Sequence, residues 1–383
     1  MGEGRKGLRL RMNIPWRYFA NLEQNELILL LNAWKDANPD GGVFAMVAEA
    51  DKEFVYTLQK ACQQVGTPLI GGIFPQLIAA SQLQTKGVAL LLFDTMPKYI
   101  LSENLASEEA VEQWADVLQQ FLKGDERETL FLLFDGMLPN IASILEHCYL
   151  KIADRVSYAG ANAGSESFQS MPCLFDIEQI KEGSVLALVF PQSQGAFIEH
   201  GYALPENLIT VTSVAKNRIH SIDWRPAFEA YQELASSEYG ITVTKDNFYS
   251  IGAKIPFGIV RGNGDVLVRF PVALMDDGSL LCIGEVPEHS LLTLLKSNEQ
   301  DLMKGLKVLA GNISESDMSQ GLTFYCAGRR FYLGLEKAQA EIDALGQHVG
   351  EVFGAISLGE IGDTQNGGYP AFHNGAVVCC PWS

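Results

Sequence analysis

The 383-residue chain has no Cys-x-x-Cys pair, and its seven cysteines are odd in number and scattered through apolar runs. Neither a structural zinc site nor a thioredoxin-type centre is signalled, and the thiols read as buried and reduced. Basic residues are few: 28 Lys and Arg stand against 46 Asp and Glu, for a net charge of −18. That balance argues against nucleic acid or an anionic membrane surface as partner, since phosphate binding needs a basic face. The one local basic excess, Arg5, Lys6, Arg9 and Arg11, reads as a solvated arm. Long apolar runs are missing too. The densest, Val88–Phe93, falls far short of the roughly 20 residues that span a bilayer, and no apolar segment near the start predicts a secretory leader. No P-loop occurs, and none of the strand-end glycines belongs to a Gly-x-Gly-x-x-Gly fingerprint. The sequence therefore calls for no nucleotide, metal or other cofactor.

What is present is a core. At 47% hydrophobic and 19% charged residues, the composition suits a globular protein of one large or two smaller domains. Apolar runs of strand length alternate with helical periodicity. The run 43–50 precedes a helix face of Val55, Leu58, Cys62 and Val65. The strand 67–72 follows and ends in Gly71 and Gly72; the strand 87–94 ends in Asp94. The order returns with 129–136, a helix face of Ile141, Ile144, Leu145 and Cys148, then 156–164 with Gly160 and Gly164, then 184–190. It returns again with 322–326, a helix face of Leu335, Ala338, Ile342 and Leu345, then 351–355 and 375–380. These spacings predict three copies of a β-α-β-β unit, beginning near Val43, Thr129 and Leu322. Continuous apolar strands predict mixed sheets with helices on both faces. Between the second and third copies, residues 255–294 are rich in β-branched and apolar residues. Turn signals at Asn263-Gly264-Asp265 and Asp276-Asp277-Gly278 predict an antiparallel hairpin region. Asp223 is the expected cap of the helix after it.

The second half resembles the FIST C-terminal domain. The resemblance rests on SIDWRPAFEAY (221–231), KIPFGIV, DVLVRFP and DDGSLLCIGEVPE, and on FYCAGRR, GAISLGEIG and FHNGAVV towards the end. Trp224 stands where that family commonly has glycine. The first half is similar, more loosely, to the FIST N-terminal domain through YAGANAGSESF and SVLALVFP. The resemblance implies an arm over 1–20 and two α/β domains, over 21–212 and 213–383. It also implies a stand-alone cytoplasmic sensory module that binds a small molecule, an amino acid or related metabolite, and passes the signal to a protein partner. A homo-oligomer is compatible with that role.

Candidate site residues gather where an α/β protein places ligands, at strand ends. Cys326 reads as a thiolate stabilised by Arg329 or Arg330, or as a buried apolar thiol. Arg329 reads as a clamp for a ligand carboxylate, or as the partner of Glu360 or Asp363. Glu360 suits a ligand ammonium or a set of backbone N–H groups. His373 and Asn374 offer donors and acceptors to a ligand or to their own turn. Gly71 and Gly160 permit close approach of a ligand or of another segment. Asn162 and Ser165 suit a polar ligand or turn chemistry. Asp94 and Asp135 are expected on the same edge as Cys326. Two further functions remain open: a hydrolase or acyl transferase with Cys326 as nucleophile, His373 as base and Glu360 as orienter, and an acidic scaffold for a protein partner.

Overall fold

The computed structural model describes residues 16–122, 128–190, 195–202, 207–262, 264–296, 298–315, 321–362 and 369–381. The basic residues of the arm and Asp363 lie outside them. Trp16–Phe19, at the end of the segment read as an arm, is an edge strand paired with Val88–Phe93.

The three predicted units are present, each built the same way. The first strands are Gly42–Ala48, Glu128–Asp135 and Gly321–Cys326. Each leads through a helix (Phe54–Val65, Ile141–Ile152, Leu335–Val349) to a second strand that pairs parallel to it, at Leu69–Phe74, Val156–Ala163 and Phe353–Ser357. Each closing strand (Val88–Phe93, Ser184–Phe190, Val377–Pro381) then pairs antiparallel on the other side. A strand that continues a helix crossover runs parallel to its start, and one that follows a hairpin runs back.

Between second and closing strands each unit has a short hairpin, and these hairpins are exchanged in a ring. Gln76–Ala79 of the first unit pairs with Phe353–Ser357 of the third. Leu174–Asp176 of the second pairs with Leu69–Phe74 of the first. Glu360–Gly362 of the third pairs with Val156–Ala163 of the second. The result is three six-stranded sheets of matching order, each completed by a neighbour. The close approach has a specific requirement at one repeated position. A Cβ on Gly71, Gly160 or Gly354 would lie 2.1, 2.0 or 1.6 Å from the carbonyl oxygen of Ala45, Leu132 or Thr323 on the adjacent first strand. Gly71 and Gly160 thus serve the approach of another chain segment.

The same architecture makes one central core. Phe44, Phe131 and Phe324, from the three first strands, meet inside with ring centroids 6.3 Å (Phe44 to Phe131) and 6.0 Å (Phe131 to Phe324) apart. Such aromatic packing contributes beyond the area it buries.

The region between the second and third units forms its own antiparallel sheet from residues 209–294. Its predicted turns at Gly264 and Gly278 both carry positive φ. One expectation changes. Asp223 does not cap the helix Ala227–Tyr239, whose N-cap is Pro226. Asp223 instead has φ of 47° and accepts the Thr210 N–H at 2.8 Å, forming a tight turn with Trp224. Trp224 has φ of 64°, a conformation that glycine adopts without strain, which accounts for the family's preference there.

Candidate functional site

The strand Gly321–Cys326 runs straight into a short helix, Ala327–Leu333, rather than the turn expected there, and the helix separates Arg329 from Arg330. Arg329 points inward and is buried. Its Nε and Nη2 donate to the two oxygens of Glu341 at 2.8 and 2.9 Å, and further bonds go to the carbonyls of His200 and Leu302, both at 2.8 Å, and of Gly375 at 3.4 Å. Tyr325 donates its hydroxyl to the same carboxylate. Burial works against the guanidinium charge, but the Glu341 hydrogen bonds more than offset it and hold the charge on. The expected internal ion pair of Arg329 therefore exists, with Glu341 rather than Glu360. No signal at strand ends pointed to Glu341, which lies mid-helix on the helix face that covers the strand.

Cys326, Glu360 and the His373-Asn374 turn do come together. The Gly375 N–H donates to Cys326 Sγ at 3.1 Å. Ser357 Oγ donates to Glu360 Oε1 at 2.6 Å and Ala376 N–H to its Oε2 at 3.3 Å. His373 faces Glu360 across the hairpin, and Asn374 Nδ2 bonds the His373 carbonyl at 3.1 Å. All four are buried. Burial pushes the Cys326 thiol up to about 12, with Glu360 adding to it. Burial also raises the Glu360 carboxyl well above its ordinary range, against hydrogen bonds from Ser357 and Ala376 that favour the carboxylate. Burial lowers His373 to about 3, helped by the nearby His200 and Arg269. Burial thus pushes all three groups towards their neutral forms: thiol, carboxylic acid and imidazole.

The repeat explains why Cys326 stands where it does. In every unit a left-handed glycine precedes the closing strand, with φ of 90° at Gly87, 58° at Gly183 and 68° at Gly375. Its N–H is accepted by Asp51 at 2.6 Å in the first unit, Asp135 at 2.6 Å in the second and Cys326 in the third. Asp135 and Cys326 occupy the same register position, opposite Ala163 and Ser357. Asp94 does not share that edge. It follows a closing strand, which runs antiparallel, so it emerges at the opposite end and is exposed.

Several polar atoms in this interior have no partner: both ring nitrogens of His373, Asn374 Oδ1, and both side-chain atoms of Asn162. Asn162 is fully buried, and its backbone joins the Gly359-Glu360 turn, with its N–H donating to Gly359 O at 2.8 Å. Ser165 is engaged locally, bonding Ser167 Oγ at 2.8 Å.

Arg330 points the other way, into an open cleft of about 160 Å³ where three parts of the chain meet. Glu166 and Phe168 come from the loop after the second unit's glycine-ended strand, and Tyr249 and Phe270 from the antiparallel region. Gly328, Arg330 and Phe331 come from the third unit. A Cβ on Gly328 would lie 2.7 Å from the Phe270 ring, so glycine lets the helix Ala327–Leu333 lie against it. Arg330 Nη2 is paired with Glu166, while its Nε is buried without a partner. Tyr249 and Phe331 stack edge to face at 5.7 Å, about half exposed. The cleft thus has apolar aromatic walls and one charged pair, the arrangement of a small-molecule site. Arg330 was weighed in the sequence only as a partner for Cys326. The aromatic residues around it come from distant segments and carried no signal.

Among the described residues no group of His, Cys, Asp and Glu is arranged to hold a metal ion, and no helix is long and apolar enough to cross a membrane. The chain is 22% identical over 269 residues to an uncharacterized protein, MJ1623, of Methanocaldococcus jannaschii, a match that takes in 64% of this chain and 52% of that protein. The chain therefore spans about half the length of that relative. The FIST N domain matches residues 42–225 and the FIST C domain residues 227–363. With both domains in order over most of its length, the chain belongs to the FIST family, whose domains are sensory domains of signal transduction.

Proposed function

We propose that the protein is a cytoplasmic sensor that binds a small carboxylate-bearing metabolite, an amino acid or a close relative, in the Arg330 cleft. The observation that carries this reading is the unpartnered Arg330 Nε at a cleft otherwise lined by Glu166 and by aromatic and aliphatic residues. A guanidinium N–H without a partner favours a ligand carboxylate, because the pair forms charge-assisted hydrogen bonds. Glu166, beside it, suits a ligand ammonium. The buried set of Cys326, Arg329, Glu360, His373, Asn374 and Asn162 supports the site from behind: Ala327 and Gly328 of the cleft wall directly follow Cys326. Because the cleft is shared by three parts of the chain, a bound ligand changes how they pack, and that change is what a signalling partner or a second copy reads.

The hydrolase reading finds less support. A buried thiol held at about 12 beside the Glu360 carboxyl is not a ready nucleophile, and His373 makes no hydrogen bond to it. The scaffold reading rests on charge alone. The test is calorimetric titration with the common amino acids, repeated on Arg330→Ala. Saturable heat that the substitution removes supports the proposal; no saturable heat from any of them refutes it.

A further inference from the structure

Resting on that reading of the cleft, we infer that its ligand carries a flat aromatic ring beside its carboxylate, as an aromatic α-amino acid does. The charged pair occupies one part of the wall: Arg330 and Glu166 are joined, and Tyr249, whose phenol is raised first by burial, lies near enough for Glu166 to add to the rise. The rest is apolar, with Ala253, Pro271, Val272 and Ala327 beside four aromatic rings. Phe168, Tyr249, Phe270 and Phe331 come from three separate stretches of chain and converge on the space that Arg330 faces.

Two features favour a flat ring over a general apolar group. Gly328 lets the third unit's backbone pack directly against the Phe270 ring, so backbone and ring form one continuous wall. Tyr249 and Phe331 meet at 64° and 5.7 Å and stay about half exposed, which leaves ring surface of both for a ligand to pack against. Aromatic rings prefer edge-to-face and offset contacts, and such pairs contribute beyond the area they bury. An aliphatic side chain gains only from area. A second charged group on the ligand would enter a wall that offers it no partner beyond the Arg330–Glu166 pair, and burying an unpaired charge is costly. The cleft thus selects against acidic and basic side chains and ranks aromatic above aliphatic ones.

The experiment is isothermal titration of the full chain with L-phenylalanine, L-leucine and L-glutamate, in parallel with Phe331→Ala and Tyr249→Ala. Both substituted residues are about half exposed, so the fold tolerates them. The expected order is phenylalanine first, leucine at least about tenfold weaker, and glutamate without measurable binding. Each substitution is expected to weaken phenylalanine about tenfold and to change leucine much less. Leucine or glutamate binding as tightly as phenylalanine overturns the aromatic class and leaves the sensor reading standing. So does phenylalanine affinity unaffected by either substitution. Absence of binding by all three overturns the aromatic class, and the sensor reading falls only if the other amino acids also fail.

Discussion

Arg329 and Arg330 are neighbours in the chain with opposite environments: Arg329 is locked in a bidentate pair with buried Glu341, while Arg330 faces an open cleft with its Nε unpaired. Removing the partner of a buried ion leaves an uncompensated charge, at a cost of about 3–5 kcal/mol. Glu341→Ala is therefore expected to lower the unfolding free energy by about that amount in urea titration. Arg330→Ala breaks a pair that is partly exposed on the Glu166 side and is expected to cost less than about 1 kcal/mol.

Cys326 fills the place that Asp135 fills in the second unit, accepting the N–H of a left-handed glycine. Its thiol is buried and raised to about 12. Native protein treated with a thiol alkylator at neutral pH should leave Cys326 unlabelled, with rapid modification only after denaturation. Peptide mapping that finds Cys326 modified first in the native state would restore the nucleophile reading.

Two buried groups give stability opposite pH dependences. His373 has an ordinary value of 6.5 and a folded value of about 3. The unfolded chain binds the extra proton, so stability from this residue is present above 6.5 and is lost as pH falls towards 3. Glu360 is the reverse. Its folded value lies well above 4.5, so its contribution is fullest below 4.5 and declines as pH rises towards the folded value. His373→Gln should flatten the loss of stability on acidification between pH 6.5 and 4.5, an effect on the order of a few kcal/mol. Glu360→Gln, which keeps the neutral form at every pH, should remove the opposite trend. Urea midpoints taken across that range for both variants check the signs.

Glycine positions separate fold requirement from sequence chance. Gly354→Ala would place a Cβ 1.6 Å from the Thr323 carbonyl. A backbone atom cannot swing aside, so a loss on the order of 3 kcal/mol is expected. Gly311 lies within the helix Glu299–Glu315 with no heavy atom within 4 Å of its added Cβ. There, alanine should stabilise by about 1 kcal/mol, because it lowers the backbone entropy lost on helix formation. Thermal melts of the two variants should move in opposite directions.

The repeat was legible because each unit writes its core in local patterns: an apolar strand, a periodic helix face and a glycine-ended strand. The exchange of hairpins between units was not. Glu360–Gly362 pairs with Val156–Ala163, and nothing within a few residues of either segment encodes that partner. Asp94 shows the same limit. The sequence tells that a strand ends there but not which way it runs. Within the candidate site, Cys326, Glu360, His373 and Asn374 were found together because they end strands of one unit. Arg329 was found with the wrong partner, since Glu341 looks like any polar residue on a helix. The cleft was missed because Phe168, Tyr249 and Phe270 acquire meaning only when three stretches of chain converge on Arg330.

The central claim, that the Arg330 cleft receives a small carboxylate-bearing ligand, is tested most directly by thermal-shift screening of amino acids and related metabolites on the wild-type chain and on Arg330→Ala. A ligand that binds the native state raises its stability, by about 2.7 kcal/mol at a hundredfold excess over Kd. At least one compound should raise the melting temperature of the wild type and leave that of Arg330→Ala unchanged. A flat response across the whole panel, or a shift that persists undiminished in Arg330→Ala, would contradict the account.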